Sequence, residues 1–126
     1  MKPLTAEQAI ESLEKNIAGY KEQVERQKMA LRLANNRDFK KLILDEFCVQ
    51  ECARYAQASA DPMLDERQRA DSLGMAQAAG HLRRWLSVIN QMGNVAQGQI
   101  EANEAELERA RAGEGFEEDD FEGYEE

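Results

Sequence analysis

Apolar residues recur near the start of this chain at alternating three- and four-residue steps. Ile10, Leu13, Ile17, Tyr20, Val24 and Leu31 follow a heptad line that only Gln27 interrupts. A second line runs through Leu82, Leu86, Ile89, Gly93, Ala96, Ile100, Asn103, Leu107 and Ala110. Such spacing gathers the apolar side chains on one stripe of an α-helix, and a stripe sustained for several turns needs a partner helix along its length. The pattern constrains architecture and carries no chemistry of its own.

No run of β-branched residues alternates with polar ones, and both prolines, Pro3 and Pro62, stand near expected helix starts. The expected fold class is therefore all-α: an elongated antiparallel hairpin or bundle of three long helices with coiled-coil-like seams. At 126 residues the chain suits one small domain. It can bury a core only if its helices pack on each other or on another subunit, so a homo-oligomer is among the expected states. No 18-residue apolar stretch exists, and MKPLTAEQAIESLEK has no apolar core of a signal peptide. The expectation is no membrane partner, no secretion and a cytoplasmic location.

The helices are expected at about 5–34, 37–60 and 63–111, with residues 1–112 as the helical domain. Thr5 followed by Gln8 is a capping-box pattern, and Leu4 stands where a staple residue would. Asn35 and Asn36 break the first helix, because Asn tolerates the left-handed conformation and also caps a following helix. In the second helix, Phe39, Leu42, Ile43, Leu44, Phe47, Cys48, Val49 and Cys52 wrap more than one face of an α-helix, which implies burial on two sides. Small residues at Ala53, Ala56, Ala58 and Ala60, and again at Gly74, Ala76, Ala78, Ala79 and Gly80, favour a close hairpin of helices two and three. Asp61 and Pro62 form the boundary between them. Gly93 and Gly98 lower helix propensity and would mark a bend or a close crossing. Arg109, Arg111 and Gly113 make a C-terminal signal.

Charge is segregated. Eight carboxylates and no basic residue lie beyond Gly113, so the formal net charge of −9 leaves −1 to residues 1–112. Residues 113–126 lack an apolar period and read as a disordered acidic tail. Its aromatics, Phe116, Phe121 and Tyr124, interleave with the carboxylates, a composition suited to a basic, apolar surface on a partner.

Catalytic and metal motifs are weak. Cys48 and Cys52 lie one turn apart, but with His81 they supply three soft ligands where a structural zinc site needs four, so two small core residues are the better account. His81 has no neighbouring acid to position it as a base. Glu51 with Arg54 or Arg84 would form a buried or half-buried ion pair between helices two and three that specifies register. Arg83, Arg84 and Trp85 could meet phosphate or a base, yet the acidic tail opposes nucleic acid, and a protein partner is the better fit. No catalytic residue, cofactor or metal is assigned, and no enzyme is expected.

The segment Asn36-Arg37-Asp38-Phe39-Lys40-Lys41-Leu42-Ile43, then Phe47, Glu51, Arg54 and Ala56, then Gly80-His81-Leu82-Arg83-Arg84-Trp85-Leu86 and Gly93-Asn94-Val95-Ala96, resembles small helical proteins of tailed bacteriophages encoded among virion and head-assembly genes. The similarity covers most of residues 5–110. It implies a structural or assembly role through protein contacts, with incorporation in the virion, and transfers no catalytic residue. The alternatives are a small regulator that binds and inhibits a host protein, and, third, an accessory nucleic-acid binder. The residues assigned to partner contact are Phe116, Phe121, Tyr124, Arg83, Arg84 and Trp85.

Overall fold

The computed structural model describes residues 5–113; about 90% of it is helical, and no strand occurs among the described residues. Helix α1 is Ala6–Asn35. Arg37–Phe39, Lys40–Glu51 and Cys52–Ala58 then follow one another without a break as a single helical segment, α2. Helix α3 is Glu66–Arg111. Among the described residues no helix is long and apolar enough to cross a membrane. The acidic segment from Glu114, expected to be disordered, and the staple residue Leu4 lie outside the described residues.

Local hydrogen bonds explain where the helices start and stop. The Thr5–Gln8 box closes in both directions: Gln8 N–H donates to Thr5 Oγ1 and Thr5 N–H to Gln8 Oε1, each at 3.0 Å. The break after α1 is made by Asn36 in an extended conformation, φ −72 and ψ 127, and not by a left-handed Asn; its Oδ1 accepts from Phe39 N–H. One extended residue thus ends α1 and caps α2. Helix α3 starts at Glu66 and not at Met63, because Asp61 spends its carboxylate on a turn, accepting from Met63 N–H at 2.9 Å. The cap is Asp65, which exchanges bonds with Gln68 at 2.8 and 3.0 Å. Arg69 reaches back to the carbonyls of Asp61 and Leu64 and ties down the turn. At the far end Gly113, with φ 81, provides the left-handed residue that closes α3.

The chain divides into two compact units, one holding the described residues 5–26 and 92–113, the other Gln27–Gln91. In the first, Ala9, Ile17, Ala96, Leu107 and Ala110 are buried, and so is Gly93. Ile10, Leu13, Tyr20, Val24, Ile100 and Asn103 are half-buried. Arg111 bonds Glu14 at 2.6 Å and so joins the start of α1 to the end of α3. Both side chains are more than half exposed, so solvent screens the pair to at most about 1 kcal/mol.

In the second unit Cys48, Ala79 and Ile89 are buried, Leu82 and Leu86 half-buried, and Gln27 is buried as well. Gln27, the interruption in the apolar line, donates from Nε2 to both the backbone carbonyl and the Oδ1 of Asn90, each at 2.9 Å. Burial of the amide is thereby offset, and the bond can be made only where these two residues face each other. Leu31 departs from the expected line and is 46% exposed, while Ala30 and Ala34 are half-buried. Ala30 and Leu31 flank the line through Gln27 and Ala34 on opposite sides, and α1 is rotated with the alanine side inward.

Segment α2 meets α3 through its cysteines: Cys48 Sγ lies 3.8 Å from the carbonyl oxygen of Ala79, and Cys52 Sγ 3.5 Å from that of Ala76. On α3 only Ala76 and Ala79 of the expected small residues serve this approach, while Gly74, Ala78 and Gly80 are exposed and a Cβ on either glycine would meet nothing within 4 Å; of the other run, Ala53, Ala56 and Ala60 are exposed and Ala58 is half-buried. The expected burial of α2 on two sides is also corrected. Lys40–Glu51 is wound as a π-helix, in which residues four and five apart share a face. At that period Phe39, Ile43, Leu44, Phe47, Cys48 and Cys52 fall on one side, all buried or half-buried. Leu42 and Val49 flank that side and are 55% and 51% exposed.

Candidate interaction surface

Between Ser72 and Ile100, α3 contains no acidic residue, and its only full charges there are the adjacent Arg83 and Arg84. Helical spacing places His81, Trp85 and Val88 on one face at four- and three-residue steps, away from the buried line of Ala79, Leu82, Leu86 and Ile89. Arg83, Arg84 and Trp85 are all exposed, the indole at 56%. No described carboxylate lies within ion-pair distance of either arginine. The three point in different directions around the helix, Arg83 and Trp85 on opposite flanks of the buried line and Arg84 between them on the side away from it; a guanidinium can bind carboxylates, and an exposed indole can stack on an aromatic ring or a cation. This arrangement lies within the unit Gln27–Gln91.

The remaining candidate groups are placed as follows. Cys48 is a buried thiol and Cys52 a half-buried one, each directed at a backbone carbonyl of α3. Burial pushes the Cys48 thiol up from its ordinary value; the positive charge of Arg83 opposes this and Cys52 adds to it. His81 is exposed, and among the described residues no group of three His, Cys, Asp or Glu is arranged to hold a metal ion. The expected interhelical pair of Glu51 is replaced by a bond within α2: Arg54 reaches Glu51 Oε1 at 2.7 Å, three residues along the same helix. The Arg54 hydrogen bond holds the Glu51 carboxyl below its usual range. Arg54 also lies 4.6 Å from the centre of the Tyr55 ring. Both members of the pair are exposed enough for rotation of α2 to favour the near neighbour over a partner across the helices.

Other apolar side chains are open to solvent. Met29 and Leu33, four residues apart on α1, border a shallow groove with Arg32 and Asn36 in the unit Gln27–Gln91. Met63 stands at the tip of the turn after α2, almost wholly exposed. In the unit of residues 5–26 and 92–113, Met92 and Val95 are exposed on α3. A groove there between Glu14, Ile17, Lys21, Glu104, Leu107 and Arg111 has charges of both signs at its rim. Phe116, Phe121 and Tyr124, the other expected contact residues, lie outside the described residues. The acid-free stretch of α3 is the signal that motif inspection passed over: it is legible as the absence of one residue class, which spacing rules do not register.

Comparison with family models, with curated proteins and with solved structures matches this chain to none of them.

Proposed function

We propose that this chain is a non-enzymatic structural or assembly protein of a tailed bacteriophage, working through helix-mediated protein contacts in the capsid or virion. The observation that carries a contact role is the exposure of Trp85 and of Arg84 beside it on α3, the arginine with no ion pair to a described carboxylate. Tryptophan and arginine are enriched among the few residues that carry most of the binding energy at protein interfaces. Support for the phage setting comes from the resemblance over most of residues 5–110.

The two heptad lines serve in this proposal as coiled-coil-like seams of a helical bundle. Burial of Ile17, Ile89, Leu107 and Ala110 supports them, as do the Gln27–Asn90 and Glu14–Arg111 bonds. The seams hold the contact face rigid, so that binding costs little ordering. The partner is a phage structural protein, met in the host cytoplasm and retained in the particle.

Mass spectrometry of purified particles from the encoding phage tests this. Stoichiometric abundance of the chain supports it. Absence from particles together with early expression overturns it in favour of a regulator of a host protein.

A further inference from the structure

We propose that α3 pairs with α3 of a second copy of this chain, antiparallel, along a line through His81, Trp85, Val88, Met92 and Val95. This rests on reading the Trp85 side of α3 as a contact surface and names its occupant. The line advances in alternating four- and three-residue steps, each residue one position ahead of a member of the inward line, Leu82, Leu86, Ile89, Gly93 or Ala96. One position is about 100° of helical rotation, and α3 is one unbroken helix, so it carries two heptad lines side by side. The inward line is buried or half-buried by the chain itself. In the second line Val88 is half-buried and His81 exposed, while Trp85, Met92 and Val95 are 56%, 40% and 63% exposed.

Charge complementarity selects a second copy as the occupant. Continued at the same steps, the line has Arg67 and Asp71 near its start and Glu106 near its end, with no Asp, Glu, Lys or Arg between Asp71 and Glu106. An antiparallel pair centred between Trp85 and Val88 sets Trp85 against Val88 of the second copy, His81 against Met92 and Ala78 against Val95. The same register brings Arg67 to Glu106 at both ends, whereas a parallel pair would set each charge against its own kind. Arg67 has no ion pair with a described carboxylate. Glu106 is held by Arg109 of its own helix and keeps acceptor sites for a second guanidinium. Gly74, where a Cβ would meet nothing within 4 Å in the chain itself, faces Gln99 in this register. The pairing joins chains already folded around the inward line, so helix content is the same in monomer and dimer.

Sedimentation equilibrium of the full chain tests this, and a dimer in reversible exchange with monomer is expected. Val95→Glu, at a position open to solvent in the single chain, is expected to be monomeric with native helix content by circular dichroism, because pairing would bury its charge. Arg67→Glu and Glu106→Arg are each expected to raise the dimer Kd about tenfold, as two attractive end pairs become repulsive, and the two together to restore it. Trp85 is the only tryptophan and gives a readout without substitution: its emission should move to longer wavelength on dilution, in step with the loss of dimer. If a variant loses helix, that dilution series decides alone, and emission that stays constant while the dimer dissociates overturns the pairing. A native chain that is monomeric at every concentration also overturns it, as does a dimer that a folded Val95→Glu leaves intact or that the double reversal fails to restore. Particle incorporation is read separately. A chain that pairs in this way and is absent from particles sinks the assembly role and leaves the pairing, whereas a strictly monomeric chain found in particles does the reverse.

Discussion

Gln27 is the buried polar side chain of the described residues, and it stands where the heptad pattern asks for an apolar one. Its two bonds to Asn90 make the interruption functional for packing: they hold only in one alignment of α1 against α3 within Gln27–Gln91. Gln27→Ala is expected to cost about 1–3 kcal/mol, because Asn90 loses its partner and a gap opens in a buried position. Urea unfolding followed by circular dichroism measures this, and an unchanged midpoint would mean the pair contributes nothing. Ile17, buried in the other unit, gives a harder test: Ile17→Asp places a charge in an apolar site and should cost several kcal/mol. Cys48 supplies a pH dependence. Its thiol is held above the ordinary value by burial, so the unfolded chain ionises first as pH rises. Its contribution is intact below the unfolded thiol value and is lost as pH climbs through the folded one. The melting temperature should therefore fall on the alkaline side of the ordinary thiol range, about 8.5, and part of that fall should vanish in Cys48→Ala. Most of these residues were legible because period alone decides which side of a helix is apolar. The exposure of Leu31, and the choice by Glu51 of Arg54 on its own helix over Arg84 across the helices, were not, since the rotation of a helix about its axis depends on its neighbour.

Helix boundaries show how much one hydrogen-bond rule can reach. Thr5-x-x-Gln8 and Asp65-x-x-Gln68 are the same capping box, yet only the first is obvious from sequence, because Asp61-Pro62 offers a competing start just upstream. The competition is settled by Asp61 bonding Met63 N–H and by Arg69 holding the turn. Asp65→Ala should then destabilise the fold by about 1 kcal/mol, more than any capping role of Pro62 would. Thermal melts of Asp65→Ala and Pro62→Ala compare the two directly. In α2 the period itself is different. An α-helical wheel spreads its apolar residues around the helix, whereas the π winding of Lys40–Glu51 collects them on one side and leaves Leu42 and Val49 at the margins. Sequence periodicity assumes 3.6 residues per turn, which is why burial on two sides was the wrong expectation. Leu42→Ser and Val49→Ser should change stability by no more than about 0.5 kcal/mol, while Phe47→Ala should cost at least about 1 kcal/mol. Equal costs at Leu42 and Phe47 would contradict the one-sided winding.

At the scale of the whole molecule, the all-α class follows from the two heptad lines and the missing strand signal, and the described residues agree. The proposed contact residues were half legible: Arg83, Arg84 and Trp85 stand out as neighbours in sequence, but the lack of an ion pair between either arginine and a described carboxylate is a property of three dimensions. That freedom separates stability from assembly, since an exposed side chain with no internal partner can be removed without loss to the fold. Arg84→Ser combined with Trp85→Ser removes a guanidinium and an indole that is 56% exposed, neither of them in the buried line of α3. Its helix content should match the native chain's, and its unfolding midpoint should lie within about 1 kcal/mol of it. On the proposed assembly role, particle incorporation should fall sharply in the same variant, because tryptophan and arginine at an interface account for a disproportionate share of binding energy. Gln27→Ala should behave the opposite way, losing stability while the fraction that remains folded still incorporates. Particles produced with each variant and quantified by mass spectrometry against a major capsid protein make the comparison. If Arg84→Ser/Trp85→Ser incorporates like the native chain, the α3 face is not the contact, and the exposed Met29–Leu33 edge becomes the next surface to test.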